Sequence, residues 1–483
     1  MFADGGMTLS NYFLADLPQE TTLTPTMVAE ACRALKRNRE RHLANRTTRS
    51  LTVTLSDLAK DWLNCDFQFR KLAIDQGPAA TGFSSATISN GLDAFFKPLT
   101  TENFEALLEQ DLGRVDRLDV LTATSVEEKT RRMSTVTGYE LLAHVAAGNL
   151  PCPALMSIVL GILTRSGQFV KCAGGASFFP RLFAHSLHQA DPKLASCLEI
   201  AEWRGRTNGQ SETKKAEATI LSELTEALFT EADCVTATGS DETLASIRRK
   251  LPARVKLIGY GHQVSFGYVA NGVLSSVNTK KLVKSATDDI VAWNQLGCLS
   301  PHVIYVEHGG NVSAEQFAEF LATELNNRET QEPRGGLPTE VAAAIASRRS
   351  IYETRAAYFQ SSRDIPDYSA TKIWKSENST AWTVVYEAEP KFQASCLNRF
   401  IYVKGITDLT EMLQSADSVR MKVSTVGVAA PSEKMKDIAL ELARWGATRV
   451  CPLGQMQQPP LTWRHDGRPA FGDLLRWTDY EME

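Results

Sequence analysis

The usual signatures of dinucleotide, phosphate and zinc sites are missing from this chain. It holds no G-x-G-x-x-G, no G-x-x-x-x-G-K-[ST] and no H-E-x-x-H. Gly259-Tyr-Gly261-His262 supplies two of the needed glycines, but Val264 stands close to where the third is due. None of the nine cysteines forms a C-x-x-C pair. An odd count in a long chain argues against a disulfide scaffold and against a zinc knuckle. Most of these cysteines read as small buried hydrophobes. His185 and His188 lie three apart on a helix without a third ligand, so they read as surface residues and no metal is expected. Charge is also in short supply. A net −4 sets up no global field toward nucleic acid or an anionic membrane. The one basic run, Lys36–His42, reads as a solvated face of a helix spanning Pro25–Ala44. Met1–Asp16 has neither a basic start nor a long apolar run, so no secretory leader is expected.

Leu141–Thr164 lacks Asp, Glu, Lys and Arg and is long enough to suggest a membrane span. Gly148, Asn149, Pro151 and Pro153 divide it, and a buried strand, a loop and a buried helix fit it better. The expectation is a soluble, cytoplasmic protein with no membrane span.

What is present is a chain of 483 residues, 43% of them hydrophobic, enough for two or three cores. Residues 1–115 are helix-rich. Ser56–Arg70 and Thr101–Leu112 are amphipathic, and Gly77–Asn90, rich in Gly, Ser and Thr, reads as a loop. From about residue 140 strands and helices alternate. Strands are expected at Leu141–Ala146, Gln168–Cys172, Leu198–Glu202, Val235–Thr238 and Val255–Gly259. Helices are expected between them at Ala154–Arg165, Phe178–Gln189, Thr213–Thr230 and Asp241–Lys250. This is the α/β pattern of a parallel, doubly wound sheet, which binds ligands beyond the C-terminal ends of its strands. A second α/β unit follows from about 270. It has strands at Val303–Val306, Ala381–Tyr386, Arg399–Lys404 and Met421–Val428, and helices at Ala314–Asn326, Thr339–Tyr358 and Lys434–Trp445. The expected division is 1–115, 116–265, 266–445 and a tail, 446–483.

Trp293–Pro301, W-N-Q-L-G-C-L-S-P, carries the strongest candidate for chemistry. Leu282, Ala286, Ile290, Trp293 and Leu296 keep helical spacing into it. Gly297 is expected to end that helix, and H-V-I-Y-V follows as a buried strand. Cys298 would then sit on a tight turn between packed elements, where a nucleophile is both rigid and exposed. Three other pieces accompany it. Asn149, in Ala147-Gly-Asn149-Leu-Pro151, offers an amide to an oxyanion or bonds its own backbone as a turn residue. Gly239 and Ser240, in Thr238-Gly-Ser-Asp241, begin a helix and suit either a phosphate or a simple N-cap. Lys171, at the end of a strand, either reaches a ribose or phosphate or is merely solvated.

Taken together, Asn-x-Pro, the strand-end lysine, T-G-S and the N-Q-L-G-C segment resemble the aldehyde dehydrogenase superfamily. Within it, N-Q-L-G-C-L-S-P-H and the tail H-D-G-R-P…L-L-R-W at His465–Trp477 resemble the LuxC-type acyl-CoA reductases. The resemblance implies an aldehyde dehydrogenase-like fold, with a Rossmann-type nicotinamide domain over 116–265 and a catalytic domain over 266–445. It implies Cys298 as acyl-accepting nucleophile, Asn149 with the Cys298 N–H as oxyanion donors, and Lys171, Gly239 and Ser240 as cofactor contacts. Ile258 falls where hydrolytic relatives carry a water-activating Glu. His262 lies near as an acid or base that would help to lower the thiol pKa. Glu387 and Glu389 lie near a second, ribose-binding Glu. The implied activity is NADPH-dependent reduction of an acyl-CoA or carrier-bound acyl thioester to an aldehyde. Implied partners are an acyl-protein synthetase and an acyltransferase. Arg132–Ala143 is the implied arm of a homo-oligomer. Two other readings stand beside this one: an aldehyde dehydrogenase that releases an acid, and an acyltransferase that uses Cys298 without a cofactor.

Overall fold

The computed structural model describes residues 9–18, 20–205, 212–361 and 370–483. Met1 to Thr8, the start of the segment read for a leader, lie outside them. In chain order the strands are β1 (Arg132–Gly138), β2 (Leu141–Val145), β3 (Gly167–Cys172), β4 (Leu198–Glu202), β5 (Cys234–Thr238), β6 (Lys256–Tyr260) and β7 (Val264–Val269). They continue as β8 (Pro301–Glu307), β9 (Thr371–Lys375), β10 (Thr383–Glu387), β11 (Phe400–Ile406), β12 (Val423–Ala429), β13 (Val450–Pro452) and β14 (Leu475–Glu481).

Two sheets organise the chain. The first has the order β4-β3-β2-β5-β6 and is parallel throughout. Successive strands leave β2 to one side and then to the other, so the order reverses between β2 and β5. Such a switch point opens a crevice at the carboxyl ends of the strands. The second sheet has the order β13-β12-β7-β8-β11-β10-β9 and is parallel except for β9. Its inner strands are buried along their whole length, as parallel strands covered on both faces require. The chain crosses between sheets at Gly261–Gln263. β13 carries the second α/β unit past Trp445.

The helical layer before β1 shares one core with the first sheet. Trp62, Phe96 and Phe104 belong to the same buried cluster as Ile158, Leu182 and Trp293. This layer corrects two expectations. Gly77–Asn90 is not a loop but the end of helix Gln68–Thr81 and the start of helix Ser85–Phe96. Gly82, at φ +81°, closes the first, and the Ser84 hydroxyl accepts the Thr87 N–H to open the second. These are the C-cap and N-cap uses of glycine and serine. The helix read at Ser56–Arg70 is instead two helices, Thr48–Leu63 and Gln68–Thr81. His185 is not a surface residue. It is buried, and its Nε2 meets an Asp16 carboxylate oxygen at 2.9 Å.

The expected arm also changes shape. β1 ends at Gly138 and pairs antiparallel with β14 from Arg132↔Glu481 to Gly138↔Leu475. Leu141–Ala143 belongs to the first sheet instead. Among the described residues no helix is long and apolar enough to cross a membrane, and no cluster of His, Cys, Asp and Glu fits a metal ion.

Candidate active site

The helix leading to Cys298 stops earlier than its periodicity suggests. It spans Ser276–Val291, six residues short of Gly297. Trp293, Asn294 and Gln295 then adopt left-handed backbone with φ of 49°, 53° and 64°. Each such non-glycine residue costs of order 1–3 kcal/mol and persists only where neighbours over-determine it. Here they do. The Asn294 amide donates to the Arg334 carbonyl at 2.8 Å and accepts from Arg399 at 3.1 Å. The Gln295 amide donates to the carbonyls of Pro301 at 2.6 Å and Phe400 at 3.0 Å. The Trp293 ring lies against Gly91, where a Cβ would come within 2.1 Å of it.

Past this turn, Cys298 is exposed. It is reachable by solvent, yet the protein around it desolvates the thiol. Burial therefore pushes its thiol up to about 11, and the Asp466 carboxylate acts in the same direction. The N–H groups of Cys298 and Leu299 and the Ser424 hydroxyl favour the thiolate but do not outweigh these two. This corrects the expectation of a lowered thiol pKa. His262 is absent from the groups acting on it.

The loop is tied to the second sheet from below. Ser265, fully buried on β7, donates its hydroxyl to the Cys298 carbonyl at 2.6 Å and accepts the Thr425 N–H at 3.1 Å. The strand register slips at this point, between Val423 and Thr425 and again between Ser265 and Phe266. Such irregularities re-aim side chains beside active sites. The Ser265 hydroxyl fills the gap that the slip leaves in the ladder. Ser300 is held from the other side by Gln457 at 3.0 Å.

Of the other residues singled out in the sequence, Asn149 is tied to this turn, and the rest are placed by their own elements. Asn149 is exposed on the loop after β2, and its amide donates to the Leu296 carbonyl at 3.0 Å. It therefore stands beside the cysteine turn, with one amide hydrogen engaged and the second left for a ligand. Neighbouring Leu150 lies 3.3 Å from where a Gly297 Cβ would be, so the two loops abut. Gly239 and Ser240 follow β5 across the switch point. The Ser240 hydroxyl caps its helix through the Thr243 N–H at 3.3 Å. Lys171, at the end of β3, is not solvated but buried, and burial lowers its pKa. Among the described residues its ammonium has no carboxylate within ion-pair distance. Its neighbour is the Trp203 ring at 5.7 Å. A buried lysine that Glu202 supports only at a distance, beside the crevice of a doubly wound sheet, fits an anionic or polyhydroxyl ligand such as a nucleotide.

His262 is exposed on the crossing between the sheets, and its N–H points to Asp241 at 3.4 Å. Its charge is felt at His302, which burial first and His262 second lower to about 4. Glu387 is taken up by Lys404 at 3.0 Å and Arg355 at 3.1 Å. Glu389 is exposed, and its carbonyl rather than its carboxylate meets Lys404. Ile258 is 3% exposed and packs with Tyr139, Leu142, Cys234 and Leu474. Sequence reading missed Ser265, Ser424 and Asp466. For Asp466 the H-D-G-R-P string was a signal; the two serines left none.

A family model described as acyl-CoA reductase (LuxC) matches residues 43–477. The chain belongs to that family. Among curated relatives, the long-chain acyl-protein thioester reductase 2 of Photobacterium leiognathi is 22% identical over 340 residues. That match covers 70% of this chain but only 63% of the relative's length. Among solved structures, an NAD-dependent benzaldehyde dehydrogenase of Corynebacterium glutamicum superposes with a TM-score of 0.66 at 11% identity, covering 95% of this chain and 91% of its own. The glyceraldehyde-3-phosphate dehydrogenase GapN of Methanocaldococcus jannaschii, complexed with NADP, gives 0.65 at 13% identity over 95% of both chains. This acyl-CoA reductase family member thus has the aldehyde dehydrogenase fold expected from its motifs.

Proposed function

We propose that this protein reduces an acyl thioester, on CoA or on a carrier protein, to an aldehyde with NADPH, through an acyl group carried on Cys298. The observation that carries the reading is a solvent-reachable thiol on an over-determined turn, with its own and the Leu299 N–H turned toward it. The apolar Ile258 stands where a hydrolytic enzyme would activate water. The relatives' printed activity, acyl-protein thioester reduction, supports the same reaction.

In the first half of the reaction the Cys298 sulfur attacks the acyl carbonyl and the donor thiol leaves. The developing oxyanion is met by the Cys298 N–H and the second amide hydrogen of Asn149. Removing one such donor typically costs about 10²–10³ in rate. The nicotinamide, when bound, supplies a hydride to the acyl carbon. Lys171 would hold its ribose or phosphate, and Gly239 lets the backbone approach the pyrophosphate with Ser240 beside it. Collapse of the thiohemiacetal releases the aldehyde and returns the Cys298 sulfur. With Ile258 in the position of a water-activating Glu, the thioester is conserved for reduction. NADPH is preferred to NADH because Lys171 is a buried lysine at the end of β3 with no carboxylate of the described residues in direct ion-pair contact.

In this reading the first sheet serves the cofactor and the second presents the thiol. An acyl-protein synthetase and an acyltransferase would feed the site, and the β1–β14 ribbon would join copies in a homo-oligomer. The test follows absorbance of reduced nicotinamide with a panel of acyl-CoAs and carrier-bound acyl groups, for wild type and Cys298→Ala. Thioester-dependent oxidation of NADPH that the variant loses is the expected result. Acyl label trapped on Cys298 without any oxidation would replace the reading with an acyltransferase. Neither label nor oxidation would overturn it.

A further inference from the structure

The turn before β11 repeats the strain of the turn before Cys298. Leu397, Asn398 and Arg399 adopt left-handed backbone at φ of 59°, 55° and 64°, as Trp293, Asn294 and Gln295 do. Two such runs of non-glycine residues persist only where neighbours over-determine them. A buried hydrogen-bond network joins the two runs. Gln295, fully buried, donates from Nε2 to the Pro301 carbonyl at 2.6 Å and so closes the base of the loop that carries Cys298. The same amide reaches the Ser395 hydroxyl at 3.4 Å and the Phe400 carbonyl at 3.0 Å. His302 continues the chain from that base. In the pairing of β7 with β8, Ser265 faces Pro301 and Phe266 faces Val303, so His302 is the extra residue of a bulge. A bulge re-aims the side chain it carries. The His302 ring is directed at the turn before β11, where its Nδ1 accepts the Ser395 N–H at 3.0 Å and meets the Ser395 hydroxyl at 3.1 Å. That hydroxyl also accepts the N–H of Leu397, the first residue of the left-handed run, at 3.1 Å. His302 is 7% exposed, and burial first and the His262 charge second lower its pKa to about 4, so Nδ1 stays free to accept at neutral pH.

We propose that His302, acting through Ser395, is a positioning residue for Cys298: it docks the base of the cysteine loop on the turn before β11 and so sets where the sulfur stands. Its effect on turnover rests on the thioester-reductase reading; its effect on the thiol does not. Cys298 lies midway between Gln295 and Pro301, the two ends that the Gln295 amide ties together. A shift of that base therefore moves the sulfur. The loop is held at two points of the second sheet. Ser265 seats the Cys298 carbonyl from β7, and His302 fixes the leg that enters β8. The one accepting nitrogen of His302 is already engaged by Ser395, so its task is support and not proton transfer.

His302→Leu and His302→Asn test the proposal on the full chain. Leucine fills the space but cannot accept the Ser395 N–H, whereas asparagine places an oxygen near where Nδ1 stands. Each variant is assayed well below its melting temperature, with kcat expressed per folded molecule. In His302→Leu, kcat for thioester reduction should fall by about 10²-fold while KM for the nicotinamide stays near the wild-type value. Iodoacetamide should alkylate Cys298 several-fold faster in that variant, because the loop loosens. His302→Asn should recover most of both properties. A merely structural role would lower the melting temperature and leave kcat per folded molecule and the alkylation rate unchanged, and that result would overturn the proposal. Equal losses of kcat in the two variants would overturn it too. If His302→Leu does not fold, Ser395→Ala replaces it, since it removes the hydroxyl that Gln295 and Leu397 share. Wild-type kcat and alkylation in Ser395→Ala would then count against the proposal in the same way. A wild type that reduces no thioester would sink the thioester-reductase reading and leave the alkylation rates to decide: faster in His302→Leu and normal in His302→Asn supports the positioning role, and equal rates refute it.

Discussion

Ser265→Ala removes one oxygen and should cost both stability and turnover. In the native state that oxygen joins two backbone groups from different elements, the Cys298 carbonyl and the Thr425 N–H. Thr425 is fully buried, so its N–H would be left without a partner, at about 1–3 kcal/mol. The Cys298 carbonyl lies in an exposed loop where water can replace the lost donor, at about 0.5–1.5 kcal/mol. Together about 1.5–4.5 kcal/mol is expected, read as a lower denaturation midpoint in urea with an unchanged slope. The catalytic effect follows from freeing the loop. Misplacing a reacting atom by about 1 Å costs about 10²-fold, so kcat/KM for thioester reduction should fall by roughly that factor. Cys298 should also alkylate faster at fixed pH as the loop opens to solvent. An alanine variant with wild-type midpoint, turnover and alkylation rate would refute the view that this hydroxyl seats the nucleophile.

Two further outcomes follow from the same contacts. Gly91→Ala should destabilise by about 1–3 kcal/mol and lower turnover, because its Cβ would collide with the Trp293 ring that anchors the cysteine turn; Gly336→Ala, with open space around it, is the neutral control, and equal melting temperatures for the two variants would contradict this. His144 and His302, both lowered to about 4 mainly by burial, should titrate near pH 4 in labelled-histidine NMR rather than near their ordinary value of 6.5. Between those pH values the unfolded chain binds protons that the native state does not, so each histidine makes stability rise with pH across that window. The raised carboxyls Glu199 and Asp289, pushed up to about 7 by burial, act in the opposite sense, so the resonances and not the overall melting curve are the decisive readout.

The β-α alternation after residue 140 was legible because it is local. Apolar runs of strand length alternate with helical periodicity, and the expected strands are found within a residue or two at their ends, while β7, β9, β13 and β14 were not foreseen. Composition misled where one residue type serves two purposes. Gly82 and Ser84 cap two helices, although a segment rich in glycine and serine reads as a loop. The break before Cys298 was placed at Gly297 because glycine is the usual helix terminator. It comes instead from Asn294 and Gln295, whose amides find carbonyls at residues 334 and 400 that no local pattern reveals. His185 looked solvated because its partner, Asp16, is 169 positions away in sequence.

The same distinction separates the nucleophile from what supports it. Cys298, Asn149 and Lys171 could be singled out as candidates because each lies in a loop between elements or near the end of one, and such places can be read from sequence. The groups that set the behaviour of Cys298 come from elsewhere: Ser265 on β7, Ser424 on β12 and Asp466 in the tail. Ser265 reaches the Cys298 carbonyl and Ser424 the thiol because the second sheet sets β7 beside both β8 and β12, and the Asp466 charge acts because the tail returns to β6. The chemistry of the thiol is therefore a property of the tertiary structure. A chain that kept the N-Q-L-G-C segment but lost the register slip at Ser265 would keep its cysteine without the seat that holds it. In such a chain alkylation of the cysteine would persist while acyl transfer failed.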